Sequence, residues 1–209
     1  EDMITLPDHI IKKIDNNSLK HIYLYCESGS GKTYSMIKTV VELISDKYSY
    51  KNTPVFPIFL LARDISSIKD FFAAIAQVPT ERVESEVYSL FKSGDAHLVL
   101  FIDGINECSG KKLALLKSEI MDLAIRSNTK LTLVVSGNDE REITSDEWEL
   151  LSLKQLDEDL VTAVINEKGL DVKRSKNLIE LLKRPFFLKT FRETDLMSME
   201  DTKADTYSL

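Results

Sequence analysis

His21-Ile-Tyr-Leu-Tyr-Cys-Glu-Ser-Gly-Ser-Gly-Lys-Thr-Tyr34 decides the fold. The apolar run His21 to Tyr25 reads as a strand and leads into a Gly-rich turn. Met36, Ile37, Val40, Val41 and Ile44 then recur at helical spacing, and a helix presenting them on one face is expected. Strand, Gly-rich loop, Gly-Lys-Thr and helix make the context of a phosphate-binding loop. Gly29 and Gly31 let the backbone N–H groups of Glu27, Ser28, Gly29, Ser30 and Gly31 turn inward around a polyphosphate. The new helix, from Lys32, Thr33 and Tyr34 onward, offers its positive end to the same charge. Lys32 reaches the terminal phosphates, and the Thr33 hydroxyl is placed to ligate Mg²⁺.

A second stretch points to the same chemistry. His97-Leu-Val-Leu-Phe-Ile-Asp-Gly-Ile-Asn-Glu107 is an apolar strand ending in Asp103, the residue type that holds Mg²⁺ beside a phosphate-loop Thr. Gly104 permits a sharp turn at the strand's C-terminal end, where open α/β sheets bind ligands. Glu107 lies close enough to serve as general base toward a water at the γ-phosphate. Asp-Gly also turns well by itself, so this stretch gains its meaning from the upstream Gly-Lys-Thr.

Around these motifs the remaining elements fall into order. Residues 5–16 form a helix with Pro7 in its first turn and Ile10, Ile11 and Ile14 on one face. Val55 to Ala62 is a second, nearly all-apolar strand, as a covered parallel sheet requires. Pro57 lacks a ladder donor and places that strand at a sheet edge. Helices are expected on Ile65 to Ile75, on Val83 to Phe91 with a stop at Gly94, and on Leu113 to Leu123. Leu131 to Val135 is a strand followed by the polar loop Ser136 to Arg141, and Trp148 to Leu153 is one more short strand. From Asp157, a candidate cap, helices run alone through Gly169, Leu178 to Leu182, and Pro185 to Leu188.

The chain therefore reads as an α/β, three-layer P-loop NTPase of the ASCE type with a mostly parallel sheet, followed by a small C-terminal helical subdomain. Residues 1–153 form the core and 154–209 a helical lid with a polar tail. The 209 residues suit one domain with an appendage, and 43% hydrophobic content supplies a core. A net charge of -7 argues against electrostatically driven nucleic-acid binding. Cys26 and Cys108 have no metal-ligand spacing and read as plain buried thiols of a reducing compartment. His9, His21 and His97 are isolated. No apolar run reaches transmembrane length and no secretory leader opens the chain, so a soluble, cytoplasmic protein with no membrane partner is expected. Because it opens with Glu1, it is expected to be a piece of something larger.

These motifs together resemble a NACHT-type member of the STAND class of NTPases, the ATP-switched signalling proteins of animal innate immunity and bacterial antiphage defence. The resemblance covers about residues 19–192. Cys26 to Thr33 resembles the family's Gly-x-Ala-Gly-x-Gly-Lys-Thr loop. Phe56-Pro-Ile-Phe-Leu-Leu-Ala-Arg63 resembles its Arg-ended strand, and Leu98 to Glu107 its strand with Asp-Gly-x-Asp-Glu. Leu182-Lys-Arg-Pro-Phe-Phe-Leu188 resembles the segment whose proline, here Pro185, packs near the nucleotide base. Cys26 departs from the first Gly, Asn106 from the distal acidic pair, and Ser136-Gly-Asn138 from Thr-Ser-Arg.

The resemblance implies ATP/ADP and Mg²⁺ as cofactors, Lys32 and Glu107 as the catalytic pair, and Thr33 with Asp103 at the metal. It further implies self-association in the ATP state and flanking effector and sensor domains. The departure at Asn106 leaves Glu107 alone and points to slow hydrolysis. The departure at Asn138 removes the family's γ-phosphate arginine. Asn138, with Arg141 nearby, reads either as a polar sensor, a role asparagine fills in the related AAA+ group, or as a plain loop residue like Arg141. Adenine is preferred over guanine on the resemblance alone. Competing readings are an AAA+-like remodelling ATPase, a phosphate-loop small-molecule kinase, and a binding module without turnover.

Overall fold

The computed structural model describes residues 5–16, 18, 20–45, 54–89, 96–126, 130–140, 143, 146–170 and 176–193. Among them the elements run α1 (Leu6–Asp15), β1 (His21–Tyr25), α2 (Lys32–Ile44), β2 (Val55–Leu61), α3 (Ile68–Ala76) and α4 (Val83–Glu86). Then come β3 (His97–Asp103), α5 (Gly110–Arg126), β4 (Leu131–Gly137), β5 (Trp148–Leu151), α6 (Glu158–Glu167), α7 (Lys176–Leu182) and α8 (Pro185–Glu193). Contacts divide the chain into two compact units, Glu1–Cys26 with Lys32–Ser152, and Glu27–Gly31 with Leu153–Leu209.

The first unit is built on a five-stranded sheet in the order β2-β3-β4-β1-β5. Every strand pair is parallel. Such a sheet needs covered faces, and β3 and β4 are buried at every position. On one face Leu60, Leu98, Leu100, Ile102, Leu133, Val135 and Tyr23 pack with Ile68 and Phe72 of α3 and Leu116, Ile120 and Leu123 of α5. Alternation turns Ile22, Leu24, Val99, Phe101 and Val134 to the opposite side, where α2 packs on β2 and β3 and α1 packs on α2. Among the described residues the Pro57 strand is an edge strand, paired only with β3. At the other edge α1 grips β5 by charge: Lys13, itself 7% exposed, lies 2.6 Å from Glu149, and His9 lies 3.2 Å from it.

Several sequence expectations shift in register. The buried face of α2 is Met36, Thr39 and Leu43, while Ile37, Val41 and Ile44 are exposed. The apolar arc of this helix is wider than the strip of sheet it covers, so periodicity alone overstated what is buried. Helix α3 starts at Ile68, later than Ile65, because Ser67 caps it by accepting the Asp70 N–H at 2.9 Å. The buried carboxylate of Glu119 on α5 accepts the next free donor, Ile68 N–H, at 2.6 Å. β5 ends at Leu151 rather than Leu153. The helix expected on Val83 to Phe91 is described only in part, since Leu90, Phe91 and Gly94 lie outside the described residues. Cys108 is buried as expected, whereas Cys26 is only half-buried.

In the second unit Val161, Ile165, Ile179 and Leu182 form a small core with Phe187, Leu188 and Phe191 against it. Asp157 occupies the cap position of α6 but makes no side-chain cap bond; its carboxylate lies 3.3 Å from Lys154 instead. Leu160, expected on the apolar face, is 50% exposed. Gly169, with φ +72°, ends the helix as expected.

The buried histidines of the first unit make its stability pH-dependent. His21 accepts the Leu133 N–H on Nδ1 at 3.1 Å, and its Nε2 lies 3.2 Å from the Ala124 carbonyl. A ring that accepts on one nitrogen and donates from the other is neutral. Burial lowers its pKa accordingly. Burial, helped by Lys130 and His21, pushes His97 down to about 4, beside a Thr132 hydroxyl at 2.9 Å. Unfolded histidine titrates near ~6.5, so the unfolded chain takes up protons first on acidification. Stability is therefore fully present above pH ~6.5. It is lost as pH falls, toward about 4 for His97, with His21 contributing in the same direction. Denaturant titrations between pH 7 and 4.5 are expected to show this slope, and His97→Asn to flatten part of it. An unchanged slope in that variant removes His97 from the account.

Candidate functional site

β1, β3 and β4 are adjacent and parallel, so their C-terminal ends bring three distant segments to one edge. Pairing of Tyr25 with Gly137 and of Ile102 with Val135 sets the level. A bond from Cys26 N–H to the Gly137 carbonyl at 3.4 Å carries β1 one residue beyond its paired length. Tyr23, wholly buried, donates its hydroxyl to the Asp139 carbonyl at 3.0 Å and fixes the loop after β4.

The centre of this edge is Asp103, only 5% exposed. Its Oδ2 accepts the Thr33 hydroxyl at 2.6 Å and its Oδ1 accepts the Ser136 hydroxyl at 2.5 Å. Ser136 Oγ in turn accepts the Gly104 N–H at 2.8 Å. The Lys32 ammonium is turned onto the Cys26 carbonyl and the Asn138 Oδ1, the latter at 3.1 Å. Expected Lys32, Thr33, Asp103 and Asn138 are thus gathered together, while Tyr34 is 72% exposed. Arg141 lies outside the described residues.

Glu107 stands apart from this cluster. Gly104 adopts φ +75°, and a single helical turn, Ile105–Glu107, returns the chain. A Cβ at position 104 would stand 3.1 Å from the Glu107 carboxyl carbon. Glycine is favoured there by conformation, and a side chain would also press on the flexible Glu107 carboxylate. The Glu107 carboxylate is paired with Arg63 Nη1 at 3.3 Å. Arg63 is delivered by the end of β2, where Ala62 N–H bonds the Asp103 carbonyl at 2.9 Å and Lys112 holds the Arg63 carbonyl at 2.6 Å. Sequence reasoning matched Arg63 to a strand-ending arginine but did not foresee its partner.

Loop residues Glu27 to Gly31 belong to the second unit. Phe186 N–H bonds the Gly29 carbonyl at 3.2 Å, and Arg184 pairs with Glu27 while its guanidinium lies 5.9 Å from the Phe187 ring centre. Gly29 has φ +80°, and a Cβ there would meet Phe187 Cε2 at 3.0 Å. Pro185 comes nearest to Gly31, with its Cγ 3.8 Å from where a Cβ would stand. Ser28 follows in the same turn, closed by Ser30 N–H to the Glu27 carbonyl at 3.3 Å.

What these residues could hold can be tested against their chemistry. Ser30 Oγ is buried without a hydrogen-bond partner, a vacancy that a phosphate oxygen would fill. Among the described residues no group of three or more His, Cys, Asp or Glu could hold a metal ion. Thr33 and Asp103 offer two hard oxygen donors, which suits an ion that takes its other ligands from phosphates and water, as Mg²⁺ does. A phosphate oxygen at Ser30 and Mg²⁺ at Thr33 and Asp103 each fit the residues present. No helix among the described residues is long and apolar enough to cross a membrane.

No family model matches the chain, and no curated protein matches it. Solved structures do match. The chain is similar to Drosophila ORC bound to DNA, with TM-score 0.59 and 13% identity, over 78% of this chain and 43% of that one. It is similar to the Aeropyrum pernix ORC1 protein in complex with DNA, with TM-score 0.51 and 15% identity, over 88% and 56%. The Aeropyrum pernix ORC2 protein, in ADPNP-ADP complexes, matches with TM-score 0.52 and 12% identity, over 78% and 52%. The chain thus spans about half the length of these proteins. At such identity the likeness shows the fold, and that fold is the α/β P-loop NTPase fold with a parallel sheet and a following set of helices.

Proposed function

We propose that this chain is the ATP/ADP-binding switch module of a NACHT-like STAND ATPase, which hydrolyses ATP slowly and self-associates in its ATP state. The observation that carries nucleotide binding is the meeting of Lys32 and Thr33, which follow β1, with the ends of β3 and β4 at one edge of the parallel sheet. There Thr33 bonds Asp103 and Lys32 bonds Asn138. The narrower family reading rests on Asp103-Gly-x-x-Glu107 and Arg63. The ADPNP-ADP complexes of the ORC2 protein are a property of that protein and agree with the reading.

In this reading the N–H groups of residues 27–34 surround the phosphates, with Ser30 adding its hydroxyl. Lys32 exchanges two neutral acceptors for charged phosphate oxygens, a stronger hydrogen bond. Asn138 then faces the γ-phosphate. Mg²⁺ at Thr33 and Asp103 would neutralise charge that develops on the β- and γ-oxygens. Glu107 orients the attacking water and takes its proton once it parts from Arg63.

Lys32→Ala is expected to weaken ATP binding by at least tenfold and to leave the protein monomeric with ATP. Calorimetry and sedimentation read these outcomes, and unchanged affinity overturns nucleotide binding at this loop. Glu107→Gln is expected to keep ATP affinity and cut single-turnover hydrolysis by about 10²–10⁴-fold, the usual size of a general-base contribution. Hydrolysis at the wild-type rate would leave Glu107 a carboxylate paired with Arg63 and nothing more.

The helical residues 157–170 and 176–191 are proposed to respond to nucleotide. The support is that Arg184, Phe186 and Phe187 hold Glu27 and Gly29 of the loop itself. ADP is expected to stabilise this packing more than ATP, because a ligand shifts an equilibrium only by differential affinity. Hydrogen exchange over these residues should therefore be slowest with ADP. Equal protection in ADP, ATP and nucleotide-free protein would make the segment a fixed cap.

A second reading, an AAA+-like remodelling ATPase, fits the ORC likeness equally well at the level of fold. Fast basal turnover would favour it. DNA in two of the similar structures belongs to those assemblies; with a net charge of -7, our reading assigns this chain no nucleic-acid partner, and a mobility shift with duplex DNA tests that.

A further inference from the structure

We propose that Ser136 is a positioning residue that locks the Asp103 carboxylate in its metal-binding orientation; this rests on the nucleotide reading above. Asp103 is a buried strand-end carboxylate, and its two oxygens are divided between two hydroxyls. The division is not symmetric in function. Thr33 sits at the first turn of α2 and must turn a lone pair to an incoming metal, releasing Oδ2. Ser136 has no such duty, because it is fully buried on β4.

A serine hydroxyl has one proton. Ser136 Oγ already accepts the Gly104 N–H at 2.8 Å, so that proton has one recipient, Asp103 Oδ1, at 2.5 Å. The chain Gly104 N–H to Ser136 to Asp103 is therefore directional. It fixes the carboxylate to the backbone of the turn that follows it. When Thr33 turns to the metal, Oδ1 stays held and Oδ2 remains aimed at the same place. Supporting groups of this kind orient metal ligands and are worth about 10–100-fold in metal affinity.

The test measures the affinity of adenylyl imidodiphosphate in Mg²⁺ and in EDTA, taking their ratio as the metal-dependent gain. Ser136→Ala is expected to keep EDTA affinity within about twofold and to lose about tenfold or more of the gain. Asp103→Asn gives the size of complete loss. Ser136→Thr keeps the donor, so it should retain most of the gain even if its methyl group lowers the unfolding midpoint. An undiminished gain in Ser136→Ala overturns the assignment. So does a drop of equal size in Mg²⁺ and EDTA, which would mark a packing role, or a gain lost in Ser136→Thr as well as Ser136→Ala. A wild-type protein with no gain at all overturns metal binding itself, and is thereby distinguished from failure of Ser136 alone.

Discussion

A buried carboxylate cannot stand alone, and Asp103 governs much of what surrounds it. Moving a charged group out of water without partners costs far more than folding leaves in reserve. Here the partners come from the first turn of α2 and from β4, through Thr33 and Ser136. Three chain segments, separated by some seventy and thirty-three positions, are thus tied at one edge of the sheet. The parallel register of β1, β4 and β3 makes this possible, since parallel strands end together. Packing holds the strands, and the strand ends hold the chemistry.

Two further constraints act on the turn after β3 and on the loop after β1. Gly104 takes a left-handed backbone that suits glycine, and it turns the chain toward the candidate base Glu107. The Arg63 pair holds that carboxylate in an exposed position, where an ion pair contributes little and is readily exchanged. Within the second unit, Gly29 is fitted against Phe187 and bonded to Phe186. These contacts are the ones on which the proposed response of α8 to nucleotide rests.

Likeness to the ORC structures at 12–15% identity describes how the backbone is wound and leaves the output open. One scaffold of this kind serves many activities, because function resides in particular side chains placed on it. The relevant side chains here are oxygen donors and one lysine, all at strand ends or in the loop that follows β1. Such donors are the kind that the proposed phosphorylated ligand and hard cation would use.

The sequence by itself determined the phosphate loop, the apolar strand ending in Asp103, the edge position of the Pro57 strand and the alternation of strands with helices. These are local signals: a Gly-rich turn, a strand-breaking donor loss and a hydrophobic period are each written within a dozen residues. Its reading of α2 failed on Ile37, Val41 and Ile44 because periodicity shows that a helix has an apolar arc, not how much of that arc a neighbour covers. The pairing of Ser136 with Asp103, of Asn138 with Lys32 and of Arg63 with Glu107 was decided by tertiary structure alone. A trace of the first existed, since both strands are apolar runs that end in a polar residue. Nothing local says which strands are neighbours or in what register, and a shift of one residue in either strand would have turned its member of the Asp103–Ser136 pair to the other face.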